Sequence, residues 1–185
     1  MAYGLMEFIR DLRRVGASAT DEASILAQVE PLARRVAQLP DWLNDSMYEA
    51  DPVCGYGTTL LHVEADQTLF VVVDSWLPRR GVEPHDHGTW AAVVGVVGEE
   101  RNCFWQRTDD GSNVPGSVEL QRLEEHQIGP GEVLLMPSGT IHSVTNDSAA
   151  VTLSLHIYGR HLNYTDRRLF DLQNRCERPF LIKPR

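Results

Sequence analysis

The stretch that decides the fold is Gly131-Glu-Val-Leu-Leu-Met-Pro137-Ser-Gly139-Thr-Ile-His142-Ser-Val-Thr-Asn146. Gly131 suits a tight turn, and the apolar run after it predicts a strand. Pro137 and Gly139 end that strand and let the chain pass close to a neighbouring group. A histidine, His142, follows three residues after Gly139.

A second histidine segment precedes it, Gly81-Val-Glu-Pro-His85-Asp-His87-Gly88. Side chains alternate between the two faces of an extended chain, so His85 and His87 share one face and Asp86 lies on the other. Two neutral imidazoles on one face supply half of a metal site. An H-x-H pair alone is equally compatible with a surface pair, so the choice between the two interpretations depends on the segment that contains His142.

Both segments resemble the two cupin motifs. Residues 131–146 match the pattern G-x5-P-x-G-x2-H-x3-N at every fixed position. The first segment, with Gly98 eleven residues after its second histidine, resembles the first motif. The resemblance implies a metal site formed by His85, His87 and His142.

One position departs from the cupin pattern. The pattern usually places a glutamate after the second histidine with three or four residues between them, where this chain has Ala91 and Ala92. We therefore expect three neutral histidines and no carboxylate. A divalent ion held by neutral ligands keeps its full charge, which favours an anionic chelator such as a thiolate.

A third segment, Val151-Thr-Leu-Ser-Leu-His-Ile-Tyr158, alternates strictly between apolar and polar residues. Ser154, His156 and Tyr158 fall on one face. On the inner face of a small barrel these side chains would be costly unless they formed a connected hydrogen-bonded chain. The alternative is a half-exposed strand whose polar side faces water.

The apolar pattern divides the chain into two parts. Helical spacing from Leu5 to Glu49 predicts a helical N-terminal region, and short apolar or alternating runs follow Pro52. Many short strands without intervening helices are typical of an antiparallel sandwich or barrel. Residues 163–174 are expected to return to helix. The candidate strands are 58–64, 69–76, 90–97, 102–107, 118–123, 132–136 and 151–158.

Composition excludes several classes of function. The 185 residues carry a net charge of −9, which disfavours nucleic acid as a partner because phosphate contacts need basic surface. Lys183 is the single lysine, so Schiff-base and Walker-type chemistry have almost no candidate residue. Three widely spaced cysteines, without a C-x-x-C, fit neither a disulfide framework nor a thiolate zinc site. With no long apolar segment, we expect a cytoplasmic protein without a membrane partner.

The combination of H-D-H-G-T-W (85–90), residues 131–146 and S-L-H-I-Y-G (154–159) resembles the cysteine dioxygenase family of cupin thiol dioxygenases. The resemblance covers roughly residues 55–170. It implies a mainly β cupin fold, a double-stranded β-helix or jelly-roll barrel. We expect one domain over residues 1–185: a helical region (1–50), the barrel (55–160) and a C-terminal segment (161–185). The resemblance assigns iron(II) to His85, His87 and His142, and an outer-sphere relay to Ser154, His156 and Tyr158.

This resemblance also implies the reaction. Such enzymes convert a small thiol and O2 to the sulfinate, and the candidates here are 3-mercaptopropionate, mercaptosuccinate and cysteine. Mammalian-type relatives bind the substrate carboxylate through an arginine at the position of Thr58, and their cross-linked cysteine has no match in residues 88–92. Cysteine is therefore the less favoured substrate.

Bacterial relatives that act on 3-mercaptopropionate have an arginine nine residues after the relay tyrosine, which is Arg167 here. A planar guanidinium suits bidentate capture of a carboxylate. Arg160 and Arg168 are alternative candidates, and Arg167 could equally be a surface residue of a helix.

Two other classes of function stay open from the sequence. Three histidines also describe a zinc or manganese isomerase or hydrolase, and a cupin can bind a metabolite without turnover. The sequence leaves the oligomeric state open.

Overall fold

Two helices, α1 (Leu5–Ser18) and α2 (Glu22–Gln38), begin the chain. The computed structural model describes residues 3–38, 41–109 and 116–185. Each helix carries an apolar stripe at the expected 3.6-residue spacing; α1 packs mainly on α2, and α2 packs on the sheet that follows. No helix within these ranges is long and apolar enough to cross a membrane.

Eleven strands and two 3-10 turns, at Asp45–Tyr48 and Leu162–Tyr164, form the rest of the described fold. The strands are β1 (Tyr56–Val63), β2 (Thr68–Trp76), β3 (Gly81–His85), β4 (Ala91–Val97), β5 (Glu100–Arg107), β6 (Leu120–Ile128), β7 (Val133–Met136), β8 (Ile141–Thr145), β9 (Thr152–Arg160), β10 (Arg168–Asp171) and β11 (Cys176–Pro179).

The strands pair into two antiparallel sheets. One sheet has the order β1-β2-β9-β4-β7, and the other has the order β11-β10-β3-β8-β5-β6. Between β3 and β9 the chain crosses repeatedly from one sheet to the other, which is the winding of a double-stranded β-helix. The fold is therefore a mainly β cupin barrel with an N-terminal helical region.

Strand β9 lies at the centre of the five-stranded sheet, between β2 and β4. Its Leu153, Leu155 and Ile157 belong to the same apolar cluster as residues of α1 and α2, so this face is covered by the helices. Tyr158 belongs to a second cluster, inside the barrel. Because side chains alternate along a strand, the polar series that ends at Tyr158 points into the barrel.

The seven candidate strands correspond to β1, β2, β4, β5, β6, β7 and β9, with ends shifted by a few residues. The predicted helix over residues 163–174 is wrong, because only the short 3-10 turn and strand β10 form there. Long-range pairing outweighs the local pattern: the backbone N–H of Asp86 donates to the carbonyl of Arg168 at 3.1 Å. The Asp86 side chain in turn accepts from the Arg168 backbone N–H at 2.7 Å. The C-terminal segment thus adds β10 and β11 to the barrel wall.

Candidate metal centre

Three buried histidines lie close together on the six-stranded sheet and on the loop that follows β3. His85 ends β3, and it pairs in register with His142 on the neighbouring strand β8. His87 follows two residues later, and Gly88, with φ of +63°, turns the chain immediately after it. All three side chains are buried, with at most 4% of their surface exposed.

The ring nitrogens of these histidines converge on one point. One ligand atom from each lies within 4.8 Å of the others, so the group could hold a metal ion. Nε2 of His142 lies 3.2 Å from Nε2 of His87. Two nitrogens bound to one ion at roughly 2.0–2.1 Å stand about 3 Å apart, so this spacing fits a shared ion.

Hydrogen bonds on the far side of two rings orient them. Nδ1 of His142 donates to Oδ1 of Asn102 at 3.0 Å, and Nδ1 of His85 donates to the carbonyl of Glu83 at 2.9 Å. A histidine that carries its proton on Nδ1 presents the lone pair of Nε2, which is the usual arrangement behind a metal site. Both rings therefore offer Nε2 toward the centre of the group.

Burial keeps the three imidazoles neutral. Loss of solvation, followed by the positive charges of His156 and Arg167, lowers the pKa of His142 to about 3. The pKa values of His85 and His87 are also well below the ordinary value, first through burial and then through the positive charge of His142 when it is protonated. The group contains no carboxylate within the described residues. Its members are neutral nitrogen ligands, the form in which histidine binds a metal.

Ser154, His156 and Tyr158 form a continuous hydrogen-bonded chain along the inner face of β9. Ser154 Oγ lies 2.9 Å from His156 Nε2, and His156 Nδ1 lies 2.8 Å from the Tyr158 hydroxyl. All three are at most 3% exposed, which excludes the half-exposed strand considered from the sequence. The Tyr158 ring lies beside His87, with ring centroids 5.0 Å apart, so the chain ends next to the metal group.

Three further polar residues contact this chain or the histidines, and the sequence analysis did not identify them. Glu100 accepts a hydrogen bond from Ser154 Oγ at 2.7 Å, and Asn102 lies behind His142. Asp74 Oδ2 lies 3.5 Å from His156 Nε2 and its Oδ1 accepts from Thr58 at 2.6 Å. Each has a signal in the sequence: Asp74 interrupts the apolar run V-V-V-D-S-W, and Glu100 and Asn102 stand two apart on one strand face.

Arg167 is not a surface residue of a helix. It is 4% exposed, its Nε donates to the carbonyl of Asp86 at 3.1 Å, and its Cζ lies 4.1 Å above the ring of Phe180. Arg160, in contrast, is exposed. Arg168 points to Glu177, 3.6 Å away. Of the three arginines, Arg167 is the one that lines the cavity beside the histidines.

The cavity is narrow, about 20 Å³, which is room for about one water molecule. His85, His156, Tyr158 and Arg167 all contribute to its wall. An outer cleft of about 810 Å³ shares several wall residues with it, so the two adjoin. The shared residues are Tyr56, Thr58 and Ile182.

No family model matches the chain. An oxalate oxidase in complex with the substrate analogue glycolate aligns over 64% of this chain and 59% of its own, with 16% identity and a TM-score of 0.47. A cupin superfamily protein from Desulfitobacterium hafniense DCB-2 aligns over 57% of this chain and 78% of its own (16% identity, TM-score 0.41). A cupin 2 conserved barrel domain protein from Leptotrichia buccalis aligns over 64% and 47% (16% identity, TM-score 0.45). This chain spans about three fifths of the length of the oxalate oxidase.

Removing one ligand tests the metal centre. We expect His142→Ala to remain folded and to retain little metal after loading with iron(II) without oxygen and desalting, because two histidines are a weak chelator. Elemental analysis measures the bound metal, and circular dichroism checks the fold. His126→Ala is the control, since that side chain is 49% exposed on β6. Full metal occupancy in His142→Ala would contradict the site.

Asp74 makes stability depend on pH. Burial raises the pKa of Asp74 to about 6, although Thr58 and Arg167 oppose the rise. The folded protein therefore binds this proton more tightly than the unfolded chain, and stability is lost as the pH rises from about 4 through 6. Asp74→Asn removes this loss. In metal-free protein, the unfolding free energy of the variant relative to wild type should increase by about 2 to 3 kcal/mol between pH 4 and pH 7.

Urea unfolding at both pH values measures this difference. If the difference in unfolding free energy between the variant and wild type stays constant from pH 4 to pH 7, then Asp74 ionises in the folded protein as it does in the unfolded chain.

Proposed function

We propose that this protein is a non-haem iron(II) thiol dioxygenase of the cysteine dioxygenase type, which converts a small thiol bearing a carboxylate, together with O2, to the sulfinate. One observation carries the proposal: a single buried cavity is lined by a metal-ligating histidine, the end of the serine-histidine-tyrosine chain and a buried arginine. A metal site, a hydroxyl and a cation within one small cavity suit a substrate with a thiolate at one end and a carboxylate at the other.

The donor set fits iron(II). His85, His87 and His142 would hold the ion, and three imidazoles leave further coordination positions open. The chemistry expected of iron(II) in this place is activation of O2 beside a thiolate. The reaction balances as RSH + O2 giving RSO2H, so it needs no external reductant.

Neutral ligands influence which substrate binds. The cluster brings no negative charge of its own, so the charge of a divalent ion there is balanced by the ligand that enters. A thiolate supplies such a charge.

Arg167 is the residue that we propose binds the carboxylate of the substrate. A buried guanidinium is costly without an anion, and burial lowers its pKa from the ordinary value, which expresses that cost. Within residues 3–38, 41–109 and 116–185, the guanidinium donates one hydrogen bond, from Nε to the Asp86 carbonyl. Its terminal amino groups are therefore free to bind a carboxylate in the bidentate way that suits a planar guanidinium.

The cavity holds no molecule larger than water unless the side chains of its wall move apart, so the substrate must be small. We propose that it enters from the outer cleft past Tyr56 and Thr58 and displaces the water that the cavity can hold. We also propose a cytoplasmic location, where the three free cysteines would stay reduced.

Oxygen uptake with a panel of thiols tests the reaction. We expect the iron(II)-loaded protein to consume O2 with 3-mercaptopropionate or mercaptosuccinate, more slowly with cysteine, and to form one sulfinate per O2. With ¹⁸O2, mass spectrometry should show two labelled atoms in the product. Native zinc together with no thiol-dependent oxygen uptake would contradict the proposal and favour a hydrolytic or isomerising cupin.

Arg167→Ala tests the carboxylate contact. We expect kcat/KM for 3-mercaptopropionate to fall by an amount equal to about 2 to 5 kcal/mol, mainly through KM, because one partner of a buried charge pair is removed. 2-Mercaptoethanol, which lacks a carboxylate, should be a poor substrate for wild type and change little in the variant. Arg160→Ala, an exposed neighbour, is the control. An equal loss with both thiols would indicate that Arg167 supports the fold instead.

A further inference from the structure

We propose that Glu100 is a positioning residue: its buried carboxylate fixes the direction of every hydrogen bond in the Ser154–His156–Tyr158 chain and joins that chain to His142. The inference rests on the metal site of the proposed function. It does not depend on a thiol being the substrate.

Glu100 is the first residue of β5 and is 3% exposed. Its two carboxylate oxygens have separate partners: Oε2 accepts from Ser154 Oγ at 2.7 Å, and Oε1 accepts from Asn102 Nδ2 at 3.1 Å. No arginine, lysine or histidine in the described ranges lies within 4 Å of it as an ion-pair partner. A buried carboxylate held only by neutral donors needs both of them, because each lost hydrogen bond would leave charge uncompensated.

The carboxylate sets the direction of the first bond. A carboxylate only accepts hydrogen bonds, so with Glu100 in that form the single hydroxyl hydrogen of Ser154 points to it. Ser154 Oγ is then an acceptor for its other neighbours. Trp76 Nε1, which can only donate, lies 3.1 Å away, and His156 Nε2 lies 2.9 Å away. His156 must therefore carry its hydrogen on Nε2.

The position of Asp74 agrees with this tautomer. Its Oδ2 is 3.5 Å from the same Nε2 atom of His156, so a carboxylate oxygen lies close to the hydrogen that the chain requires there. A lone pair at Nε2 would face that oxygen unfavourably.

The tautomer of His156 in turn sets the direction of the hydrogen bond with the Tyr158 hydroxyl, which lies beside the metal site. With its hydrogen on Nε2, His156 has a lone pair on Nδ1, and Tyr158 must donate its hydroxyl hydrogen to it across 2.8 Å. The oxygen of Tyr158 consequently presents lone pairs to the cavity and has no hydrogen left to donate. We infer that Tyr158 accepts a hydrogen bond from a group in the cavity that bears hydrogen, such as an S–H or O–H.

The second oxygen of Glu100 fixes the orientation of the Asn102 amide and, through it, the tautomer of His142. It accepts from the amide nitrogen of Asn102, so the amide oxygen faces the other way, toward Nδ1 of His142 at 3.0 Å. This contact requires a hydrogen on Nδ1 and leaves Nε2 of His142 available to the ion. One carboxylate thus sets the tautomers of two histidines, His156 in the wall of the cavity and His142 in the metal group.

Glu100→Gln tests this role, because an amide has one accepting and one donating end. If its NH2 faces Ser154, the hydroxyl must turn to His156, whose hydrogen moves to Nδ1. If its NH2 faces Asn102, that amide must rotate, and the hydrogen of His142 moves to Nε2. No arrangement of the glutamine satisfies all partners and preserves both tautomers.

The measurement is long-range ¹H–¹⁵N NMR of metal-free protein labelled at histidine, near pH 7.5. In wild type we expect hydrogen on Nε2 of His156 and on Nδ1 of His142. In Glu100→Gln one of the two must change. A change at His142 should also weaken iron(II) binding by about 10- to 100-fold. A change at His156 should leave metal binding intact and lower kcat with little effect on KM.

Glu99→Gln is the matched control, since the neighbouring Glu99 is exposed and contacts Gln127 on β6. It should keep both wild-type tautomers. Hydrogen on Nδ1 of His156 in wild type, or unchanged tautomers in a folded Glu100→Gln, would overturn the inference. The wild-type spectrum decides the question if the variant does not fold. Because no substrate is present, the result is independent of whether thiols are oxidised.

Discussion

The pairing of β9 with β2 on one side and β4 on the other is the constraint on which the rest of the structure depends. It places this strand at the centre of a sheet that is buried on both faces. The alternation of the strand then sends Leu153, Leu155 and Ile157 toward the helices and the polar residues into the barrel. A slip of one residue would exchange the two faces, burying leucines among the polar groups and setting the histidine against the helices. The register of β9 is therefore specified from both sides.

A polar interior of this kind is stable only when its groups satisfy one another. From Tyr158 the hydrogen bonds run through His156 and Ser154 to Glu100, and through Asn102 to His142. The network thus begins and ends at the metal group. In a medium of low polarity such a network holds its members rigidly, since an unpaired group would cost more there than in water. Rigidity is what a site that must position small reactants requires.

Part of this arrangement follows from the sequence, and part does not. The histidines and the serine-histidine-tyrosine series are readable because each motif is local: a turn, a strand and an alternation fix where the side chains point. The roles of Glu100 and Asp74 cannot be predicted in the same way, because the partners of a carboxylate on a strand depend on which other strands lie next to it. The end of the chain shows the same limit. Its pattern favours a helix, and β10 forms instead because β3 offers it hydrogen bonds across more than eighty residues of sequence.

The ladder between β3 and β10 has a geometric consequence. Leu169 pairs with His85, and Arg167 binds the backbone carbonyl of Asp86, so the guanidinium and two of the histidines are attached to adjoining backbone. Main-chain hydrogen bonds fix the two backbone segments, and the bond from Arg167 Nε to the Asp86 carbonyl holds the guanidinium beside them. A substrate that bound the metal ion at one end and the Arg167 guanidinium at the other, as proposed, would have to match their separation in length. For a substrate of the proposed kind, the barrel wall would act as a gauge of molecular length and would separate homologous compounds that share the same terminal groups.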